Sequence, residues 1–161
     1  MTELVIEQTL KTPQIELNQL TGDLIFSGKS IPENAAKVYE PALNWVTEYI
    51  HKANPTTNLR LNMEYFNTAS LIWLTKILKE LIQINEPDYV LMVHLYISIE
   101  DYDEIDDFND IKDVFSPLSN FNQSTIPCIG MKLYGIDEEG EIIKNTLIFI
   151  EPEQFISIKS A

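Results

Sequence analysis

Asn67, Thr68 and Ser70 stand within four residues of one another in the segment Tyr65-Phe66-Asn67-Thr68-Ala69-Ser70, where an apolar strand pattern gives way to a helical one. The first turn of a helix carries backbone N–H groups with no internal acceptor and the positive end of the helix dipole. Asn67 or Thr68 can cap those groups with a side-chain oxygen. A phosphate on Thr68 or Ser70 would meet the same donors and place roughly two negative charges at a favourable end. The hexapeptide therefore suits two readings, an ordinary helix cap and a phosphorylation site.

Other chemistry finds little support. Metal sites need clustered His, Cys or carboxylate ligands, and His51, His94 and Cys128 are far apart in the chain. His94 lies in a buried-looking strand, where a hydrogen-bonded core histidine is the expectation. Asp101-Tyr102-Asp103 opens like a calcium loop but lacks its central glycine and terminal spacing. With five glycines in the chain, no phosphate-cradling loop is present. A Ser or Thr nucleophile requires a base within hydrogen-bond reach, and none is visible near Thr68 or Ser70. The chain reads as a non-enzyme without cofactor or metal.

The elements that position the hexapeptide follow from periodicity. Residues 4–10 and 14–18 have partial strand character, broken at Thr12-Pro13. A turn at Thr21-Gly22-Asp23 leads into a short strand ending at Gly28, which makes a hairpin with a preceding extended arm. Ser30-Ile31-Pro32-Glu33 has capping-box spacing, so a helix is expected from there to about Lys52, with Ala35, Val38, Ala42, Trp45, Val46 and Tyr49 inward. Pro41 should kink it or delay its regular part. Asn58 to Phe66 reads as a strand with Leu59, Leu61, Met63 and Tyr65 on one side. A second helix is expected over Ala69 to Ile84, with Leu71, Leu74, Ile77, Leu78 and Leu81 on the core. Tyr89 to Ile99 is the best candidate for a buried central strand.

Glu100 to Asp113 holds eight carboxylates in fourteen residues, and Tyr102, Ile105, Phe108, Ile111 and Phe115 recur at helical spacing, so an amphipathic helix with an acidic face is expected. Residues 117–127 look like a loop. A terminal hairpin should follow, Ile129 to Tyr134 and Ile142 to Ile150 around Asp137-Glu138-Glu139-Gly140, with an apolar remnant at Phe155-Ile156-Ser157-Ile158. The expected fold class is α/β, a mixed sheet with helices mainly on one face. Right-handed crossovers make the middle strands parallel, so Thr68 falls at the carboxyl edge of a strand, where such sheets place their sites.

Composition sets the class of partner. The 161 residues suit one domain, and 45% hydrophobic with 22% charged residues is a globular balance. Eleven basic against 25 acidic residues give a formal charge of −14. Nucleic acid and anionic membranes would be repelled, and proteins with basic or mixed faces are favoured. No apolar run approaches a membrane span, the amino terminus lacks the pattern of a secretory signal, and one cysteine cannot form an internal disulfide; the expected compartment is the cytoplasm.

Two separated segments resemble a known family. Lys11-Thr12-Pro13, Gly28-Lys29-Ser30-Ile31-Pro32-Glu33-Asn34-Ala35, Pro41 and Trp45, followed by Tyr65-Phe66-Asn67-Thr68-Ala69-Ser70 and the helix holding Ile77-Leu78, are similar to the pattern of the SiaC-type bacterial regulatory phosphoproteins. The resemblance covers about residues 9 to 100. It implies a fold like that of anti-sigma-factor antagonist (STAS-like) domains, with the phosphoacceptor threonine on Thr68. It also implies a serine/threonine protein kinase and a PP2C-type phosphatase as partners, and control of a signalling enzyme, in the best-known system a diguanylate cyclase that links the switch to cyclic di-GMP and biofilm formation. Ala69 departs from the family, which usually has serine there. The hairpin from Ile129 on is extra, so the chain divides into a SiaC-like core, residues 1–116, and a C-terminal extension packed on it, residues 117–161.

Ser30, Glu33, Asn34, Asn67 and Ser70 are candidates to border a partner surface around Thr68, although simple capping explains the first three equally well. The competing function is a constitutive interaction or assembly module in which Thr68 only caps a helix. A small hydrolase or transferase is a third class and would need a base near Thr68.

Overall fold

The strand signals condense into a single mixed sheet. In the computed structural model, residues 2–105 and 127–149 are described. Seven strands lie in chain order: β1 (Glu3–Ile6), β2 (Gln14–Asn18), β3 (Asp23–Ser30), β4 (Thr56–Phe66), β5 (Val90–Ser98), β6 (Cys128–Ile136) and β7 (Ile142–Phe149). β1 to β3 form an antiparallel meander, β3 to β6 run parallel, and β7 returns antiparallel to β6. Helix α1 (Ala35–Tyr49) connects β3 to β4, and α2 (Thr68–Leu81) connects β4 to β5. Both crossovers add a strand in the same direction, so right-handed connection puts both helices over the same face.

Alternation along the strands decides which side chains meet those helices. Ile15, Leu17, Leu24, Phe26, Leu91 and Val93 are fully buried beneath Tyr39, Val46, Ile77 and Leu81 of α1 and α2. On β4, β5 and β6 the alternate positions Asn58, Arg60, His94, Tyr96, Lys132 and Tyr134 are in register with one another and project to the opposite face. The short helix α3 (Ile99–Asp103) is capped by Ser98, whose Oγ accepts the Asp101 N–H at 3.2 Å. It sits directly on β6 because residue 135 is glycine: a Cβ there would come within 2.8 Å of Ile99 and 3.0 Å of Tyr102. The Tyr102 hydroxyl bonds Thr146 on β7, and Lys144 pairs with Asp103 at 3.0 Å.

Several expectations need correction. Ser30 ends β3 instead of opening a helix. The cap of α1 is Asn34, whose Oδ1 accepts the Lys37 N–H at 3.3 Å, and Pro32 lies ahead of the helix. The hydrogen bonds of a parallel strand outweigh a local capping pattern, and β3 therefore runs on past Gly28. Helix α1 continues unbroken through Pro41. Pro41 and Lys37 are both exposed, which lets water satisfy the carbonyl that proline leaves without a donor. Tyr39, which the apolar pattern did not include, is fully buried on α1, while Val38 is half-buried and packs against the core. Leu71, read as facing the core, is exposed, as is Tyr65 at the end of the strand face that holds Leu59 and Leu61. Helix α2 ends at Leu81 rather than Ile84. The expected acidic helix is described only as far as its first turn. Phe108, Ile111, Phe115, the loop up to residue 126, Ile150 and the Phe155–Ile158 segment lie outside the described residues.

Candidate switch site at the start of the second crossover helix

Thr68 is the first residue of α2, at the carboxyl end of β4, and its side chain is exposed. Asn67 is the cap: its Oδ1 accepts the Ser70 N–H at 2.9 Å, and its carbonyl accepts the Leu71 N–H at 3.1 Å. The N–H groups of Thr68 and Ala69 meet no acceptor among the described residues. These two donors, at the positive end of a fourteen-residue helix, are what a phosphate oxygen on Thr68 would require.

Ser70, two residues on, has the opposite environment. It is fully buried, as are Ser30 and Tyr39. The Ser70 Oγ lies 2.7 Å from Ser30 Oγ, 2.7 Å from Asn67 Oδ1 and 3.1 Å from the Ser30 carbonyl. Ser30 Oγ in turn lies 2.5 Å from the Tyr39 hydroxyl. Each hydroxyl has one proton to give. The chain Tyr39 O–H to Ser30 Oγ, Ser30 O–H to Ser70 Oγ, and Ser70 O–H to Asn67 Oδ1 satisfies all three hydroxyls. Burial raises the Tyr39 phenol above its ordinary pKa, opposed by its bonds to Ser30 and Ser70, so the network stays neutral. The Ser30 carbonyl also accepts the Asn67 N–H at 2.9 Å. Two elements forty residues apart are thus tied at the point where α2 starts.

This geometry sorts the candidate residues. Ser30, Asn67 and Ser70 come together beneath Thr68. Ser30 and Ser70 are corrected as partner-contact residues, because a hydroxyl with no exposure offers nothing to a docked protein; they hold the cap. Glu33 and Asn34 are exposed at the entrance of α1, where Glu33 makes a surface pair with Lys11 at 3.6 Å and Asn34 caps the helix. Tyr39 was missed as a member of the site. Only the sequence distance between β3, α1 and α2 hid it, since a tyrosine on an amphipathic helix gives no local sign of the hydroxyl it will meet.

The surface around Thr68 is apolar. Tyr65 is 60% exposed, Phe66 44%, Leu71 39% and Ile72 53%. Leu71 and Ile72 lie three and four residues after Thr68, on the same side of α2. A signal was present in the sequence: α2 has more apolar residues, Leu71, Ile72, Trp73 and Leu74 in succession, than one inward stripe can use. Among the described residues, no helix is long and apolar enough to cross a membrane.

Across the sheet, a second polar cluster faces away from the helices. His94, 6% exposed, places Nδ1 2.8 Å from the Tyr134 hydroxyl and Nε2 2.8 Å from Asn58 Oδ1. Tyr96 stacks on Tyr134 with ring centroids 4.4 Å apart, and its hydroxyl accepts from Arg60 at 3.0 Å. Arg60 pairs with Asp23 at 3.6 Å. Burial, with the positive charges of Arg60 and Lys132, lowers the His94 pKa to about 4 against the opposing pull of Asp23. The imidazole is therefore neutral, donating from Nε2 to Asn58 and accepting from Tyr134 at Nδ1.

Comparison with known proteins agrees with this architecture. An uncharacterised protein of Pseudomonas aeruginosa (strain UCBPP-PA14) is 31% identical over 71 residues, 44% of this chain and 56% of that relative, so the chain spans about half the length of the curated relative it matches. The fold is similar to the crystal structure of apo-SiaC from Pseudomonas aeruginosa, with a TM-score of 0.61 at 22% identity over 72% of this chain and 92% of that one. It is also similar to a chain in the crystal structure of the diguanylate cyclase SiaD in complex with its activator SiaC from the same organism. There the TM-score is 0.63 at 19% identity, covering 81% of this chain and 99% of that chain. The model of the SiaC family regulatory phosphoproteins matches residues 6–125. The chain belongs to the SiaC family of regulatory phosphoproteins.

Proposed function

We propose that this protein is a switch without catalytic activity of its own, phosphorylated on Thr68 by a serine/threonine kinase and dephosphorylated by a PP2C-type phosphatase. It controls a signalling enzyme, a diguanylate cyclase, by direct binding at the surface around Thr68. One observation carries this reading: of the hydroxyls gathered at the start of α2, Thr68 alone is exposed, beside two backbone N–H groups without acceptors and a rim of exposed apolar side chains. Phosphate there is stabilised locally by the helix terminus, so the fold need not change. The same dianion is unfavourable for a partner that must lose water over Tyr65, Phe66 and Leu71. Kinship with a protein that activates a diguanylate cyclase supports the choice of partner.

The competing reading, a constitutive assembly module in which Thr68 only caps a helix, is weakened because Asn67 supplies the cap. The arrangement of an acceptor hydroxyl at a helix N-terminus beside a parallel sheet supports likeness to anti-sigma-factor antagonist domains. The family model's end at residue 125, ahead of β6, supports reading residues 117–161 as an extension of a core formed by residues 1–116. The cytoplasm is the compartment where the proposed kinase and cyclase output would be found.

Peptide mass spectrometry of protein isolated from its native cell, with and without phosphatase treatment, tests the switch. Phosphate localised to Thr68 is expected. Unmodified Thr68 across growth conditions, together with a Thr68→Glu variant that binds the cyclase as tightly as wild type, would overturn it.

A further inference from the structure

The face of the sheet turned away from the helices holds a local positive charge on a chain of formal charge −14. α1 and α2 cover the other face, and α3 meets that same side at Gly135, which alternates with Tyr134 along β6. Away from them, Arg60, His94 and Lys132 stand in one register row across β4, β5 and β6. Arg60, the chain's single arginine, spends one N–H on the Tyr96 hydroxyl at 3.0 Å. Its pair with Asp23 at 3.6 Å is longer than a hydrogen bond, so most of its N–H donors are unspent. Among the described residues Lys132 has no ion pair, and its ammonium lies 5.2 Å from the centroid of the Tyr134 ring. Asn58 accepts from His94 through Oδ1, which leaves its amide NH₂ without an acceptor among the described residues. The Tyr96 hydroxyl accepts from Arg60 and still has its own proton to give. Donors are in surplus along this row, and two cations face one carboxylate.

That imbalance defines the occupant. Unspent donors and a surplus of positive charge call for acceptors that carry negative charge, which means carboxylates. Arg60 and Lys132 stand two strand spacings apart, roughly 10 Å between main chains, so acidic side chains grouped on one surface serve both at once. A free carboxylate on a broad sheet face keeps most of its water, and its contacts stay weak. A protein surface laid over the Tyr96–Tyr134 stack, with ring centroids 4.4 Å apart, excludes that water and strengthens every charged contact beneath it. Tyrosine and arginine are also the residue types that anchor interfaces. β4, β5 and β6 are each paired on both sides, so the partner docks on side chains and not as an added strand. We propose that this face is a second interaction surface, on which a partner protein docks by an acidic cluster set against Arg60, Lys132 and the Tyr96–Tyr134 stack.

Docking here is independent of the switch. Thr68 begins α2, which covers the opposite face, and the charge of a phosphate there is screened over roughly 8 Å at physiological salt. Phosphorylation of Thr68 should therefore leave binding on this face nearly unchanged, so loss of the switch and loss of this surface are distinguishable.

The test uses the full ¹⁵N-labelled chain and two designed peptides of equal length, one alternating tyrosine with glutamate, the other tyrosine with lysine. Chemical-shift mapping should show the Tyr/Glu peptide perturbing Arg60, Tyr96, Lys132 and Tyr134, with affinity falling as salt rises, while the Tyr/Lys peptide leaves these signals in place. The Tyr/Glu peptide should also move the His94 pKa up from about 4, where burial and then the positive charges of Arg60 and Lys132 hold it. Lys132→Glu should weaken binding about tenfold and Arg60→Gln several-fold. Lys37→Glu, an equal charge change at an exposed position of α1, should leave it unchanged. Equal loss in Lys132→Glu and Lys37→Glu would overturn the proposal, because the overall charge would then govern binding. Absence of shifts at Arg60 and Lys132, or shifts confined to another surface, would also overturn it. So would glutarate alone if it reproduced the shifts with the affinity of the peptide, in favour of a small dicarboxylate. Two results without any peptide would replace the partner protein. Movement of the Lys132 and Tyr134 signals by Glu151→Lys with Glu153→Lys would make the occupant this chain's own C-terminal segment. Concentration-dependent shifts at the same residues would make it a second copy.

Discussion

Two polar clusters sit on opposite faces of one sheet and differ in what they can exchange with solvent. Beneath Thr68, Tyr39, Ser30, Ser70 and Asn67 are joined by hydrogen bonds between neutral groups, three of them fully buried. On the far face, Asn58, His94 and Tyr134 adjoin Tyr96, Arg60 and Asp23, a cluster that mixes neutral and charged members. The first cluster stays neutral across the physiological pH range, so the geometry of the α2 terminus does not vary with pH there. The second holds a histidine whose protonation would make both ring nitrogens donors and force the Tyr134 hydroxyl to turn from donor to acceptor. The phosphate switch proposed for Thr68 would thus rest on the cluster that does not titrate in that range.

The largest effect should come from the far face. His94 is held to a pKa of about 4 in the folded protein, against about 6.5 when unfolded. Above pH 6.5 both states are neutral and the full stability is present; as pH falls from 6.5 towards 4, the unfolded state takes up a proton that the folded state refuses, and stability is lost. The loss attributable to this residue should reach about 2–3 kcal/mol near pH 4. Chemical denaturation of wild type and His94→Gln at pH 7 and pH 4.5 checks it: the difference between the two proteins should narrow at the lower pH. A constant difference would mean that the histidine is not the titrating group.

Ser70→Ala comes next. It removes the middle of the buried hydroxyl chain and leaves Ser30 without its acceptor, at a cost of about 2 kcal/mol. The same substitution should speed amide exchange in the first turn of α2, read by hydrogen exchange, because Asn67 loses the bond that orients its cap. Tyr39→Phe removes one terminal donor and should cost about 1 kcal/mol. If Tyr39→Phe destabilised more than Ser70→Ala, the direction assigned to the chain would be wrong. Thr68→Ala should be the mildest, within about 0.5 kcal/mol in denaturant, since an exposed first-turn residue that is not the cap contributes little. A large loss would show that Thr68 is itself structural and would erase the contrast with Ser70.

Much of this was legible in the chain. The strand at 90–98, the parallel middle of the sheet and the helix after Asn67 follow from hydrophobic period and cap chemistry, both local properties. The role of Ser30 was misread because its capping-box spacing is local too, while the strand pairing that claims it, with Phe66 as its partner in register, is not. Leu71 was assigned to the core for a similar reason: periodicity identifies an apolar residue but cannot tell which apolar side of α2 the sheet will cover.

Local order, the neutrality of the hexapeptide, the family kinship and the strong acidity were thus decided by residue types and short spacings, because caps, turns and periodic faces act over a few residues. The separation of Thr68 from Ser70, one exposed and one sealed, was decided only when β3, α1 and α2 converged, since burial depends on which distant elements pack over a side chain.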